Sequence, residues 1–177
     1  MRINIIPVSL LTDQHLIAEL REIKMLPKSL VRSLKSKVGV DFNDLPKSYI
    51  LNKGHGKFFY DKLNYIEDRF YKLLDESKSR GFNFKSDELY DNEFDYTCIT
   101  LKSYKLNYVT TLDEMIINVE RILERIYEMI FIKQKCNFYK HNGTSKLFLE
   151  WCIFYQEELN ISYESMFDII LNIELKK

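Results

Sequence analysis

Apolar residues along the chain recur at helical spacing. Leu16, Leu20 and Ile23 fall at i, i+4 and i+7, one buried stripe of a first helix. Thr12 has an N-capping side chain, and Asp13 then places a negative charge in the first turn, against the positive helix end. His15, Glu19 and Glu22 repeat the spacing one residue earlier, rotated by about 100°, so they line the edge of the core rather than the far solvent side. Pro27 lacks a donor and crowds the preceding turn, which predicts an interruption or kink there and a return to helix from Ser29 to Lys37.

A polar stretch over 38–55, punctuated by Gly39, Pro46 and Gly54, reads as a connecting loop. A long helix is expected from about Lys57 to Ser79, with Phe59, Leu63, Ile66, Phe70, Leu73 and Leu74 inward and Gly81 as its stop. Residues 83–108 begin acidic and turn aromatic, and Tyr96, Cys98 and Thr100 alternate with the period of a short strand. Thr111 and Glu114 have the spacing of a capping box, heading a third helix through Ile116, Val119, Leu123, Ile126 and Ile130 with Arg121 and Arg125 on its exposed side. After Gly143, one helix is expected to carry Leu147, Phe148, Trp151, Phe154 and Tyr155, and another Phe167, Ile170 and Leu171. So large an apolar content favours packing on the body over exposure.

The expected fold is therefore all-α. It is a compact single domain over residues 1–143, of about three main helices with the N-terminal segment threaded between them, plus a helical extension over 144–177 packed on the same domain. At 177 residues, 46% hydrophobic and 29% charged, the chain has the size and composition of one folded domain, not of a disordered polyelectrolyte. No stretch approaches the ~18 consecutive apolar residues of a membrane span, and the basic-then-apolar order of a signal peptide is missing. A soluble, cytoplasmic protein with no membrane partner is expected. Cys98, Cys136 and Cys152 are odd in number and widely spaced, with no Cys-x-x-Cys pair and no histidine at a zinc interval. They read as reduced thiols, with no structural metal.

The net charge is zero, but its distribution is uneven. Residues 1–80 carry 15 Lys+Arg against 10 Asp+Glu, and residues 81–177 carry 11 against 16. A phosphate-binding face fits the first half, although basic surface helices also occur where nothing anionic binds. The same half holds a free terminus next to Arg2 and the carboxylates Glu19 and Glu22. An α-amine has a reference pKa of about 8, so roughly a tenth of it is an uncharged nucleophile at neutral pH, and cations such as Arg2 and Arg21 lower that pKa further. Taken alone, Glu22 reads as half of a surface ion pair, with Arg21 or the amine as its partner.

Several stretches resemble the phage-type pyrimidine-dimer DNA glycosylases with AP lyase activity, known in phages as endonuclease V. They are Arg2-Ile3-Asn4, Asp13-Gln14-His15-Leu16, Ala18-Glu19, Arg21-Glu22, Gly54-His55, Phe58-Phe59-Tyr60-Asp61-Lys62-Leu63 and Arg80-Gly81-Phe82-Asn83. The similarity runs in order to about residue 90 and resumes weakly over 108–126 and 137–143. The resemblance implies excision of UV-induced dimers from double-stranded DNA by a monomer without cofactor. The α-amine, here that of Met1, attacks the sugar carbon at the damaged base; Glu22 assists, and the resulting imine undergoes β-elimination that breaks the strand.

Carried across position by position, Arg2, Gln14, His15 and Arg21 match places near the DNA or the reaction centre, and Arg121 and Arg125 match basic places on the third helix. Lys24 or Lys28 replaces a further basic residue, because the stretch after Glu22 departs from the family pattern. Phe138, Tyr139 and Lys140 lie in a faint match to an aromatic-basic segment. Read singly, His15 is a core-edge histidine and the aromatics are core residues. Family members usually begin Met-Thr-Arg-Ile-Asn and lose the methionine, whereas Arg2 here blocks that removal and leaves Met1 to supply the amine. Two alternatives stay open: a glycosylase/lyase for another altered base, and a noncatalytic DNA-binding protein on the same fold.

Overall fold

In the computed structural model, which describes residues 2–84, 92–134 and 139–176, the Thr12 hydroxyl accepts the backbone N–H of His15 at 3.1 Å and opens the first helix, α1 (Asp13–Glu22). The chain turns at Ile23 and Lys24 and re-enters helix as α2 (Met25–Leu34). The expected interruption is present, at Ile23 and Lys24 just before Pro27, which itself sits inside α2. The proline occupies the first turn, where backbone N–H groups have no intrahelical acceptor and the missing donor costs nothing. A short helix, α3 (His55–Phe58), precedes α4 (Leu63–Ser79), then come α5 (Asn92–Thr100), α6 (Leu112–Tyr127), α7 (Phe148–Glu158) and α8 (Tyr163–Leu175). The described residues are predominantly helical, an all-α fold, with one two-stranded hairpin. None of these helices is long and apolar enough to cross a membrane.

The chain forms two compact units. The first comprises residues 1–4 and 16–109. Here the expected long helix over 57–79 is divided at residues 59–62. The Asp61 carbonyl accepts from the Leu106 N–H at 2.8 Å, and Lys62 forms a bridge with Lys105. Lys62 Nζ also donates to the Phe58 carbonyl at 2.9 Å, so the backbone groups freed by leaving the helix find partners. The inward residues Phe59, Leu63, Ile66, Phe70, Leu73 and Leu74 are all buried as expected. The alternation at Tyr96, Cys98 and Thr100 is not a strand: these residues lie in α5, which packs on α2 and α4 and buries Phe94 against Phe70, with ring centroids 4.7 Å apart. Length decided the matter, since so short a run carries little periodicity of either kind.

The second unit comprises residues 5–15 and 110–177. Thr111 and Glu114 make the expected reciprocal capping box of α6, which continues as a single wide turn over Glu128–Ile132. The Asn118 side chain, in the buried face of α6, accepts the N–H groups of Ile5 and Ile6 at 2.7 and 3.3 Å. Residues 140–145, which no periodicity marked, form an antiparallel hairpin of β1 (Lys140–His141) and β2 (Thr144–Ser145). Its turn, Asn142-Gly143, has positive φ at both residues, a conformation that asparagine and glycine accept most readily. Helices α7 and α8 pack on α6, and Trp151 and Tyr155 are fully buried, with the Tyr155 hydroxyl donating to the Leu10 carbonyl. On α8 the buried residues are Met166, Ile169 and Ile173; Phe167 and Leu171, expected inward, face outward.

In the first unit, one charged pair lies inside the core. Arg69 donates from Nε and Nη2 to the two Glu19 carboxylate oxygens at 2.6 and 3.2 Å, and the side chains are 5% and 1% exposed. Glu19 is thus not at the core edge, as its spacing suggested, but within it. Removing one partner of such a pair strands a buried charge at a cost of about 3–5 kcal/mol. Arg69→Met and Glu19→Leu are each expected to destabilise by that amount. The double variant should recover part of the loss, and urea unfolding of all four proteins measures the coupling directly.

Candidate functional site

Residues 2–4 have no regular secondary structure and no strand pairing among the described residues, so their backbone groups need side-chain partners. They have them one after another. The Arg2 N–H donates to Glu22 Oε2 at 2.7 Å, Ile3 N–H to His55 Nε2 at 3.0 Å, and Asn4 N–H to Glu19 Oε1 at 3.1 Å. The Tyr49 hydroxyl donates to the Ile3 carbonyl at 3.1 Å, and Asn4 Nδ2 reaches Glu19 Oε2 at 2.7 Å. Met1, the expected nucleophile, lies outside the described residues, but the residue that follows it is bonded to the expected acid. Glu22 was expected to pair with Arg21 or with the amine; the amine lies outside the described residues, the Arg2 backbone N–H donates to Glu22, and the Arg21 side chain is exposed in the last turn of α1.

His55 reaches this segment because of Gly54, whose φ of 96° starts α3 in a conformation closed to most residues. A Cβ there would come within 2.9 Å of the Ile50 side chain. His55 Nδ1 lies 2.7 Å from the Ile50 carbonyl, which only accepts, so Nδ1 carries the proton and Nε2 accepts from Ile3. The neutral ring is the form that fits, and burial lowers the His55 pKa from its ordinary value. Burial, reinforced by the Glu19 charge, likewise pushes the Tyr49 hydroxyl well above its ordinary range and keeps it a donor.

The two helical carboxylates differ in access. Glu19 is enclosed and bonded to Arg69 and Asn4, whereas Glu22 is half-buried and opens to solvent. Beyond Glu22 a basic stripe follows: Lys24, Lys28 and Arg32 recur at i, i+4 and i+8, with Lys35 completing it, and no acidic residue lies between Ile23 and Val40. Lys24 Nζ sits 5.9 Å from the Phe70 ring centroid, and Lys28 and Arg32 line a shallow cleft with Met25, Val31 and Thr97. Arg32 and Lys35 were missed from sequence, although their spacing from Lys28 is the signal.

Within the second unit, four expected DNA-contacting residues come together. His15 stacks on Tyr139, with ring centroids 5.4 Å apart, and the Gln14 side-chain oxygen accepts the Lys140 N–H at 2.9 Å. Asp13 completes the arrangement by accepting from the Asn142 and Gly143 N–H groups in the hairpin turn. Phe138 lies outside the described residues. Arg121 and Arg125 are half-buried rather than exposed, and each pairs with a carboxylate of its own helix or the turn after it: Arg121 with Glu124 at 2.5 Å, Arg125 with Glu128 at 2.6 Å. Hydrogen bonds from Lys133 and then Arg125 lower the Glu128 pKa to about 2. Among the described residues, no three His, Cys, Asp or Glu side chains gather as metal ligands would.

The His55 arrangement makes stability depend on pH with a definite sign. The unfolded ring binds its proton near the ordinary pKa of 6.5 and the folded ring only at lower pH. The unfolded state therefore holds more protons in that window, and stability is complete above it and declines as the pH falls through it. His55→Phe, which leaves the Ile3 N–H without an acceptor, is expected to cost about 1–3 kcal/mol in alkaline buffer. Its deficit against the parent protein should shrink below about pH 6.5, as urea unfolding at a series of pH values would show.

Sequence comparison gives this geometry its context. A family model described as pyrimidine dimer DNA glycosylase matches residues 1–89, just over half of the 177-residue chain. The matched span contains Glu22 and every residue of the network around positions 2–4. The chain belongs to the pyrimidine dimer DNA glycosylase family.

Proposed function

We propose that this DNA repair glycosylase removes cyclobutane pyrimidine dimers from double-stranded DNA with its own N-terminal amine and then nicks the strand by β-elimination. The observation that carries the reading is the 2.7 Å bond from the Arg2 N–H to Glu22, which holds an acid beside the residue that follows the amine. The amine lone pair attacks C1′ of the damaged nucleotide, the glycosidic bond breaks, and the base leaves with its electron pair and takes up a proton. Loss of the amine proton and opening of the sugar ring give the imine. Removal of a C2′ proton then expels the 3′ phosphate.

Glu22 suits two of these steps. As a carboxylate it stabilises the positive charge that develops at C1′, and it accepts the C2′ proton during elimination. Glu19 is enclosed and committed to Arg69 and Asn4, so it serves as a positioning residue. Arg2, Arg21, Lys24 and Lys28 from the first unit contact the DNA in this reading, as do Gln14, His15, Arg121, Arg125 and Lys140 from the second, while Phe138 and Tyr139 contact the lesion. A dimerised pyrimidine pair stacks poorly, which lowers the cost of opening the duplex at the lesion.

Untagged protein mixed with UV-irradiated duplex and borohydride is expected to yield a covalent protein–DNA adduct, with nicking in the absence of the reductant. Glu22→Gln should retain duplex affinity and lose about 10²–10⁴-fold in strand cleavage. Excision of an oxidised purine in preference to the dimer would reassign the lesion, and absence of both adduct and nick would overturn the proposal.

A further inference from the structure

Helices α7 and α8 bury one face on α6 and leave another uncovered among the described residues. Leu149 and Ile153 on α7 are 64% and 55% exposed, and Tyr163 and Phe167 on α8 are 81% and 64% exposed. Between them runs a groove of about 310 Å³, floored by the buried Cys152 and Met166. Leu149 and Ile153 are four residues apart, as are Tyr163 and Phe167, so each pair forms a ridge along its helix. A contiguous apolar groove of this kind is characteristic of a docking surface, and its shape suits an amphipathic helix laid along it.

The charge around the groove identifies the occupant. From Leu147 to Leu175 the chain carries six carboxylates, Glu150, Glu157, Glu158, Glu164, Asp168 and Glu174, and no lysine or arginine. All six are exposed. Glu157 continues the Leu149–Ile153 ridge by one more turn, and Glu164 and Asp168 directly follow Tyr163 and Phe167, so acid flanks the apolar surface along both helices. A second copy docked face to face would set these carboxylates against themselves, because a two-fold contact pairs the same patch with itself. Nucleic acid and anionic membrane surfaces would meet the same repulsion.

We propose that the α7–α8 groove is the docking site for a partner protein that presents an amphipathic helix, apolar on one face and flanked by lysine or arginine. The apolar ridges supply the affinity, and the surrounding carboxylates select a cationic partner and speed its approach. This surface lies outside the stretch matched by the family model and is independent of the chemistry proposed for the amino terminus.

The test uses the full chain and a fluorescent synthetic helix of leucine and lysine, with a leucine and glutamate counterpart as the control probe. Saturable binding of the lysine peptide is expected, weakened about tenfold or more by Ile153→Ser or Phe167→Ser. Glu164→Lys combined with Asp168→Lys should shift preference toward the glutamate peptide. All four positions are exposed, and circular dichroism and dimer excision by the same variants confirm that each is folded. Equal binding of both peptides, no binding, binding to phosphatidylserine vesicles, or a dimer in sedimentation that Phe167→Ser dissociates would each overturn the proposal.

Discussion

The buried Glu19–Arg69 pair is the constraint on which the rest of the amino-terminal arrangement depends. A segment with no neighbouring strand has unsatisfied backbone groups, and water is not available to residues as enclosed as Ile3 and Asn4. Glu19 supplies acceptors for both the backbone and the side chain of Asn4, and it bears its charge in the core only because the Arg69 guanidinium is fixed against it. His55 and Tyr49 hold Ile3 in the same manner. Each contact is an ordinary hydrogen bond, but together they fix the backbone of Ile3 and Asn4.

The same network explains why two glutamates three residues apart on one helix differ in chemistry. Glu19 has its oxygens committed to Asn4 and Arg69 and is closed to solvent, so it cannot accept a substrate proton without breaking the core. Glu22, one turn later, is half-buried and accepts from the Arg2 N–H. The fold assigns one carboxylate to architecture and leaves the other accessible for reaction.

Most helices were legible because their apolar residues recur with the right period and their ends carry recognisable caps, Thr12 for α1 and the Thr111–Glu114 box for α6. The failures have physical causes. The break at residues 59–62 depends on partners at Lys105 and Leu106, more than forty residues away, and no local pattern records such a pairing. The outward faces of Phe167 and Leu171 defeat a reading in which apolar means buried. Of the site, Glu22 was legible through family resemblance, whereas Arg69 was hidden by its type: a charged residue within an apolar stripe is easily passed over. Its position three residues after Ile66 and four before Leu73 was the available signal, and Asn118, four before Ile122, gave the same one.

Placement of charge, rather than its total, separates the basic residues by the work each can do on a phosphate backbone. A phosphate approaching Arg121 or Arg125 meets a guanidinium already paired with Glu124 or Glu128, and Glu128 is shared with Lys133 as well. Displacing those carboxylates would offset much of the attraction gained. The α2 stripe differs in its sequence setting, because eighteen consecutive positions from Ile23 to Val40 contain no acid. A chain of zero net charge can in this way carry a local excess of cations while most of the carboxylates that balance it lie later in the sequence, ten between Asp87 and Glu128 and six between Leu147 and Leu175.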